Sequence, residues 1–469
     1  MAFLFLSLPA TSFAGLIDGD GSLSNDDVNI SSPLQKAFYD DATLNLNTAL
    51  YIRQRAVKNP QSGKYSTGQG DGIKNQTANI SVDYTSGYYK DVVGFDFWGE
   101  TNLKLGQTSG QSEILYYDYS CGAPGKYETC EHSYVAFSVA AMKLKFGDES
   151  LGFKSSIGFT KIDSGTIKNS WGLNPHSYRG MDNALNIGRA TFTYAWADRF
   201  KNDWSRDFKP MVNSWNQNNA AGLDDNGNTI SKGKTIDYIH SLGFVYHFDK
   251  ATVDLGYGEG KGYRRNWQVL LDRKDTFSPD LALKSKLYYQ GARYIEDVSE
   301  ISSPSTEYYV GLGLDLIHRN TTWSLGLSQN YAPDTKDYNF RLTPYANSDK
   351  REYQPTLALL EDFNVSGAHA IRAAVSYNFA GYNFPELTVG TGATYARHVV
   401  SDTSQTGDAR RYGGQMRALD FNINYKVASG PAKGLQVTLL PAFLRSTDTT
   451  YKSDRNDIRL IVGYTFNLF

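Results

Sequence analysis

Apolar and polar side chains alternate with a period of two along most of the chain. Between residues 43 and 55, Leu44, Leu46, Leu50 and Ile52 share one face, while Asn45, Asn47, Tyr51, Arg53 and Arg55 share the other. Further on, Val93, Phe95 and Phe97 alternate with Gly94, Asp96, Trp98 and Glu100, and Leu419, Phe421, Ile423 and Tyr425 alternate with Asp420, Asn422, Asn424 and Lys426. A period of two puts successive side chains on opposite faces of a β-strand. The pattern predicts strands near 43–55, 77–86, 90–104, 134–146, 151–161, 181–187, 190–199, 235–248, 251–259, 264–273, 281–293, 306–317, 321–331, 368–379, 385–397, 416–427, 434–445 and 456–468, eighteen in all.

A soluble sandwich would also alternate, and three features point instead to an all-β transmembrane antiparallel barrel. The apolar positions often end in Tyr, Trp or Phe, as interfacial girdles require. Short connections (146–151, 318–321, 429–434) alternate with long polar ones (56–75, 105–132, 200–234, 332–367). The chain also ends on a strand, with Leu460, Val462, Tyr464, Phe466 and Leu468 on one face and Phe469 one residue out of register. An even strand number suits a bacterial barrel, and barrels of about 16–18 strands leave an aqueous channel.

Composition agrees with this picture. Past the first dozen residues no apolar run of about 18 residues exists, so there is no transmembrane helix, and a mean hydropathy of −0.46 does not exclude a barrel, in which only alternate residues meet lipid. Net charge is −2, without the basic excess that nucleic acid demands. Residues 1–14 read as a secretory signal ending in Ser12-Phe13-Ala14, although no Lys or Arg precedes the apolar run; a structured N-terminus is the alternative. Residues 15–40 would then form a periplasmic segment and 41–469 the barrel. The two cysteines, Cys121 and Cys130, are spaced to close one disulfide at a loop tip in an oxidising compartment. No metal or cofactor motif is present: the acidic run from Asp18 to Asp27 is followed by Asn29 where an EF-hand needs Glu. The seven histidines form no catalytic motif, and His240 falls on a lipid-facing phase.

Several segments resemble the OprD-type substrate-specific porins. They are Asp83-Tyr-Thr-Ser-Gly-Tyr88 with Val93-Gly-Phe-Asp96, the turn Tyr377-Asn-Phe-Ala-Gly-Tyr-Asn-Phe-Pro385-Glu-Leu387, and Leu173-Asn-Pro-His-Ser-Tyr-Arg-Gly180. In the second, Asn378 and Glu386 replace the family's usual Asp and Gly. Asp237-Tyr-Ile-His-Ser-Leu-Gly243 and Arg341-Leu-Thr-Pro-Tyr-Ala-Asn-Ser348 resemble the chitoporin branch. The resemblance implies a monomeric channel in the outer membrane, bathed in lipid and lipopolysaccharide. The terminal Phe469 would be read by the barrel-assembly machinery.

It further implies that a third loop, Asp163–Gly180, folds into the barrel and narrows it. On that loop Trp171, His176, Tyr178 and Arg179 become candidates for substrate contact, and Trp98 joins them from the inward face of its strand. Inward charges on Arg53, Arg55, Lys143, Lys284, Lys286, Arg372, Asp96 and Asp237 would line the pore, basic and acidic walls setting a transverse field. The expected function is selective diffusion, of chito-oligosaccharides first and basic amino acids or carboxylates second. An enzyme or adhesin working through barrel loops is the reading from another class.

Overall fold

A computed structural model describes residues 32–68, 72–106, 114–117, 131–168, 172–214, 222–223, 229–230, 233–344, 353–401, 411–447 and 453–469. Among them, eighteen antiparallel strands close into one barrel. They are β1 (Thr43–Lys58), β2 (Ile73–Thr85), β3 (Val93–Lys104), β4 (Tyr134–Gly147), β5 (Leu151–Thr160) and β6 (Ser177–Ile187). Next come β7 (Ala190–Lys201), β8 (Ile239–His247), β9 (Ala251–Gly260), β10 (Arg264–Ser278), β11 (Leu281–Tyr294) and β12 (Thr306–His318). The last six are β13 (Thr321–Tyr331), β14 (His369–Phe379), β15 (Phe384–Val400), β16 (Tyr412–Lys426), β17 (Gln436–Thr447) and β18 (Arg455–Asn467).

Each strand pairs with its sequence neighbours, and β18 returns to β1 with Leu46 opposite Phe466, Leu50 opposite Val462 and Arg53 opposite Arg459. Closure leaves no unpaired edge, which is what a sheet surrounded by hydrocarbon needs. The outward set is apolar and uncovered: Leu242, Phe192, Leu325 and Ile458 are all exposed. His240 belongs to this outer face, among the rings of Tyr194, Tyr238 and Tyr257.

Short turns gather at one end with the described N- and C-terminal residues, which marks it as periplasmic. At the β4–β5 turn, Gly147 takes φ +78°, and the Asp148 carboxylate accepts the amides of Ser150 and Leu151 at 2.8 and 3.0 Å. Residues 32–40 form a short helical cap at this end. Its Ala37 carbonyl accepts the Gly87 amide at 2.6 Å, and Tyr84 donates to Phe38 O at 2.9 Å.

This cap explains the register slip of Phe469. Its carbonyl still accepts from Leu44 N (2.8 Å), while its ring stacks on Tyr39 with centroids 4.8 Å apart. The last residue therefore anchors the N-terminal cap rather than meeting lipid. Tyr39→Ala should remove about 0.5–1.5 kcal/mol of ring-pair attraction. The cap should then be clipped faster in limited proteolysis while the barrel band stays intact; equal rates would show that the stack holds nothing.

Of the strand boundaries that differ from the sequence reading, two matter for the site. β6 begins at Ser177 rather than 181, because Tyr178 and Arg179 already pair with Phe200 and Arg199 of β7. β8 begins at Ile239 rather than 235, since Thr235–Ile236 pairs with the segment Lys209–Val212 above the barrel.

Candidate functional site

The lumen has two tiers, and the sequence of the inward face decides which is open. In the extracellular half, glycines let loops lie against the wall. The run Gly256-Tyr-Gly-Glu-Gly260 puts three glycines inward on β9. A Cβ at Gly256 would stand 2.9 Å from Gly165, one at Gly258 2.2 Å from Thr166 Oγ1, and one at Gly260 2.3 Å from Leu342 O. The third loop uses this room. Thr166 N donates to Ser241 Oγ at 2.8 Å, Gln268 Nε2 donates to Gly165 O at 3.0 Å, and Asp163 N and Ser164 Oγ donate to the Asp182 carboxylate.

The seventh loop, 332–368, also folds inward, which the sequence reading did not foresee. Arg264, fully buried, donates to Glu307 Oε2 (2.7 Å) and Asn339 O (2.8 Å) and lies over the Tyr294 ring at 4.4 Å. Tyr338 donates to Gln290 Oε1 at 3.0 Å and packs among Tyr309 and Phe340. Farther along, Pro355 sits where Gly311 and Gly326 lack side chains: a Cβ at Gly326 would be 2.1 Å from Pro355 O. Thr356 meets Ser328 Oγ at 2.6 Å, and Arg459 Nη2 donates to Leu359 O at 3.0 Å. The loop thus crosses the wall from β10 to β18. It meets the third loop where Lys168 Nζ donates to Tyr353 OH at 3.4 Å.

Toward the periplasmic end the inward wall is charged and partly open, although Lys143 is buried and Arg372, opposite Gly326, lies at the height of the seventh loop. Lys143 Nζ lies 2.8 Å from Asp96 Oδ1, Lys286 Nζ lies 3.7 Å from Asp272 Oδ2, and Arg372 holds Asp420 bidentately at 2.7 and 2.8 Å. Lys154 and Lys284 are exposed to the lumen, and Asp83 and Trp98, cross-strand partners, remain partly accessible. Opposite charges therefore compensate locally, on adjacent strands for Lys143–Asp96 and Lys286–Asp272 and across β15, over Gly392, for Arg372–Asp420. This replaces the separate basic and acidic walls expected from sequence: adjacent strands face the same water, where close pairing lowers the energy of both charges.

Other candidates fall in different places. Arg53 points inward but is sealed (1 % exposed), its Nε and Nη2 donating to Asp457 Oδ2 at 2.9 and 2.7 Å, and Arg55 beside it is also buried. His176 is buried with Nε2 3.1 Å from Asp203 Oδ1 and its ring edge-on to Trp204, and Tyr178 is buried in the cluster with Ile167 and Phe200. These two hold loops to the wall and cannot stack on a solute. Arg179 points outward and grips Asp198. Asp237 is exposed but lies in the stretch ahead of β8 rather than on it. Trp171, the two cysteines, the predicted signal segment and Asp18–Asp27 lie outside the described residues. Sequence reasoning missed Arg264, Tyr338, Tyr353 and Pro355; the inward glycines at alternate strand positions, Gly311-Leu-Gly313 among them, were the available signal.

Known proteins share this design. The chain is 23% identical to the chitoporin of Escherichia coli K12, over 92% of this chain and 93% of that protein. It is 29% identical to porin D of Pseudomonas aeruginosa over 23% of its own length and 26% of that protein. The structure of Pseudomonas aeruginosa OpdK with vanillate aligns with a TM-score of 0.72 at 19% identity, covering 92% of this chain and all of that one. OccK2 (OpdF) of the same organism, in complex with glucuronate, gives 0.70 at 17% with the same coverage. The model of the outer membrane porin, OprD family, matches residues 36–468. The closed eighteen-strand barrel, its inward loops and that match lead to one conclusion: the chain belongs to the OprD family and is an outer-membrane porin.

Proposed function

We propose that this porin selects hydroxyl-rich oligosaccharides, chito-oligosaccharides first among them. The observation that carries the reading is the charge pairing of the inward wall. Lys143–Asp96, Lys286–Asp272 and Arg372–Asp420 offer donors and acceptors side by side, with little net field to favour one ion. A neutral sugar chain can exchange hydrogen bonds with the accessible members, Asp96, Lys286 and Asp272. Trp98, half-buried among Asp83 and Asp96, supplies an aromatic surface for a pyranose ring. Similarity to a chitoporin agrees with this choice.

A second reading rests on Lys154 and Lys284, which are open to the lumen without an ion-pair partner among the described residues. They would attract carboxylates, as vanillate and glucuronate are carried by related structures. Single-channel recording with chitohexaose, arginine and benzoate in turn separates the two. Resolved blockade by chitohexaose alone supports the sugar reading. Blockade by benzoate without chitohexaose transfers the assignment to carboxylates, and absence of any current returns the barrel to a loop-borne enzyme or adhesin.

Within the sugar reading, Trp98→Ala should shorten each chitohexaose block severalfold, in line with about 0.5–1.5 kcal/mol for an aromatic face. Open-channel conductance should hardly change. Unaltered block times would remove Trp98 from the site.

A further inference from the structure

The outer wall carries a cluster of positive charge on one face. On the extracellular ends of β14–β17, His369, Arg397, Arg417 and Arg445 point away from the lumen, in phase with the lipid-facing Ile371, Tyr395, Leu419 and Phe443. Register sets them side by side: His369 is opposite Arg397, Tyr395 opposite Arg417, and Arg417 opposite Arg445. Of these, Arg417 and Arg445 are like charges directly opposed, and such pairs repel. Arg445 directs its donors to neutral acceptors, Leu444 O, Arg455 O and Asn456 Oδ1. Among the described residues, Arg397 and Arg417 have no carboxylate within ion-pair distance. Elsewhere the outward Arg179 and Arg265 hold Asp198 and Glu259 on their own face.

An open groove descends from this patch along the lipid-facing surface. Val310, Leu312, Leu327 and Ile371 line its lower part, and His369 and Arg397 close its extracellular end. Charge above an apolar channel, at the level of the tyrosine girdle, matches a molecule with an anionic head and a hydrocarbon tail. A second copy of the chain fits poorly, because a two-fold contact would bring the same arginines together.

We propose that this face binds a phosphate-bearing acylated lipid of the outer leaflet. Its phosphate sits between Arg397 and Arg417, and one acyl chain lies in the groove over Leu327 and Ile371. Charge-assisted hydrogen bonds to phosphate are strong in a poorly hydrated interface. The lipid would relieve the Arg417–Arg445 repulsion and fix the barrel's height in the leaflet.

Native mass spectrometry of the full chain in detergent, loaded with bisphosphorylated lipid A, tests the assignment. Wild type should retain one lipid. The R397Q/R417Q variant should retain about tenfold less, the equivalent of one lost charged contact. Ile371→Trp, which fills the groove but leaves the charges, should also lose it. Both variants should keep wild-type conductance, which shows that they fold. Three outcomes overturn the proposal: retention unchanged in R397Q/R417Q, retention of phosphate-free lipid A equal to that of the bisphosphorylated form, or displacement of the lipid by millimolar inorganic phosphate.

Discussion

Replacing residues 345–360 of the seventh loop with a short Gly-Ser linker should raise single-channel conductance severalfold. The excised stretch contains Pro355, Thr356 and Leu359, which lie on the inner wall of β12, β13 and β18, and Tyr353, which meets Lys168 of the third loop. Removing it takes one side of the constriction away and frees the tip of the other. The barrel should survive, because its strands pair without help from the loop and a flexible linker adds little closure cost. Gly326→Leu makes a companion test of opposite sign. Its Cβ would press on Pro355 O from 2.1 Å. With the loop tethered at Asn339 and Leu359, the only relief is toward the axis, so conductance should fall. At Gly463, where the nearest atom to a new Cβ is 3.7 Å away, alanine should change nothing. Equal conductance in wild type, excision and Gly326→Leu would mean that the seventh loop does not limit the passage.

The second large effect is on stability. Asp457→Ala should cost about 3–5 kcal/mol, the usual penalty for stranding one member of a buried ion pair. Arg53 is sealed from solvent, and Asp457 receives both Arg53 and Arg459, at 2.7 and 3.3 Å. Without the carboxylate, two guanidinium groups face each other across the β18–β1 seam that closes the barrel. Urea unfolding followed by the heat-modifiable gel shift would report the loss. The double substitution Arg53→Met with Asp457→Leu should recover most of it, since two apolar groups leave no charge stranded. Asp420→Asn makes the contrast. Arg372 is 15% exposed, so lumen water screens the orphaned charge and the penalty should be smaller. Similar losses at both sites would place the Arg53 pair in water after all.

The same distinction sorts the charged residues by role. Inward arginines of the extracellular half, Arg53 and Arg264, are buried beneath loops and hold structure together. The inward lysines Lys154, Lys284 and Lys286 remain in reach of solute. Cover by a loop or turn separates the groups, Lys143 being buried beside the Gly87 turn, and alternation carries no information about cover.

Sequence alone determined the number of strands, their inward and outward faces, and the ends at which turns and loops lie. Those properties are local: a period of two, a turn residue such as Gly147, or an aromatic at a strand end can be read within a few positions. The strand count and the outward phase of His240 were legible for that reason. Burial of Arg53, His176 and Tyr178, and entry of a second loop at Pro355, were decided only by the tertiary structure. Each depends on a contact between distant segments, Arg53 with Asp457 and Pro355 with Gly326, and no local pattern encodes such a pairing. The inward face of a strand states that a side chain points to the lumen; whether it meets water or a folded loop is settled by what else enters the barrel.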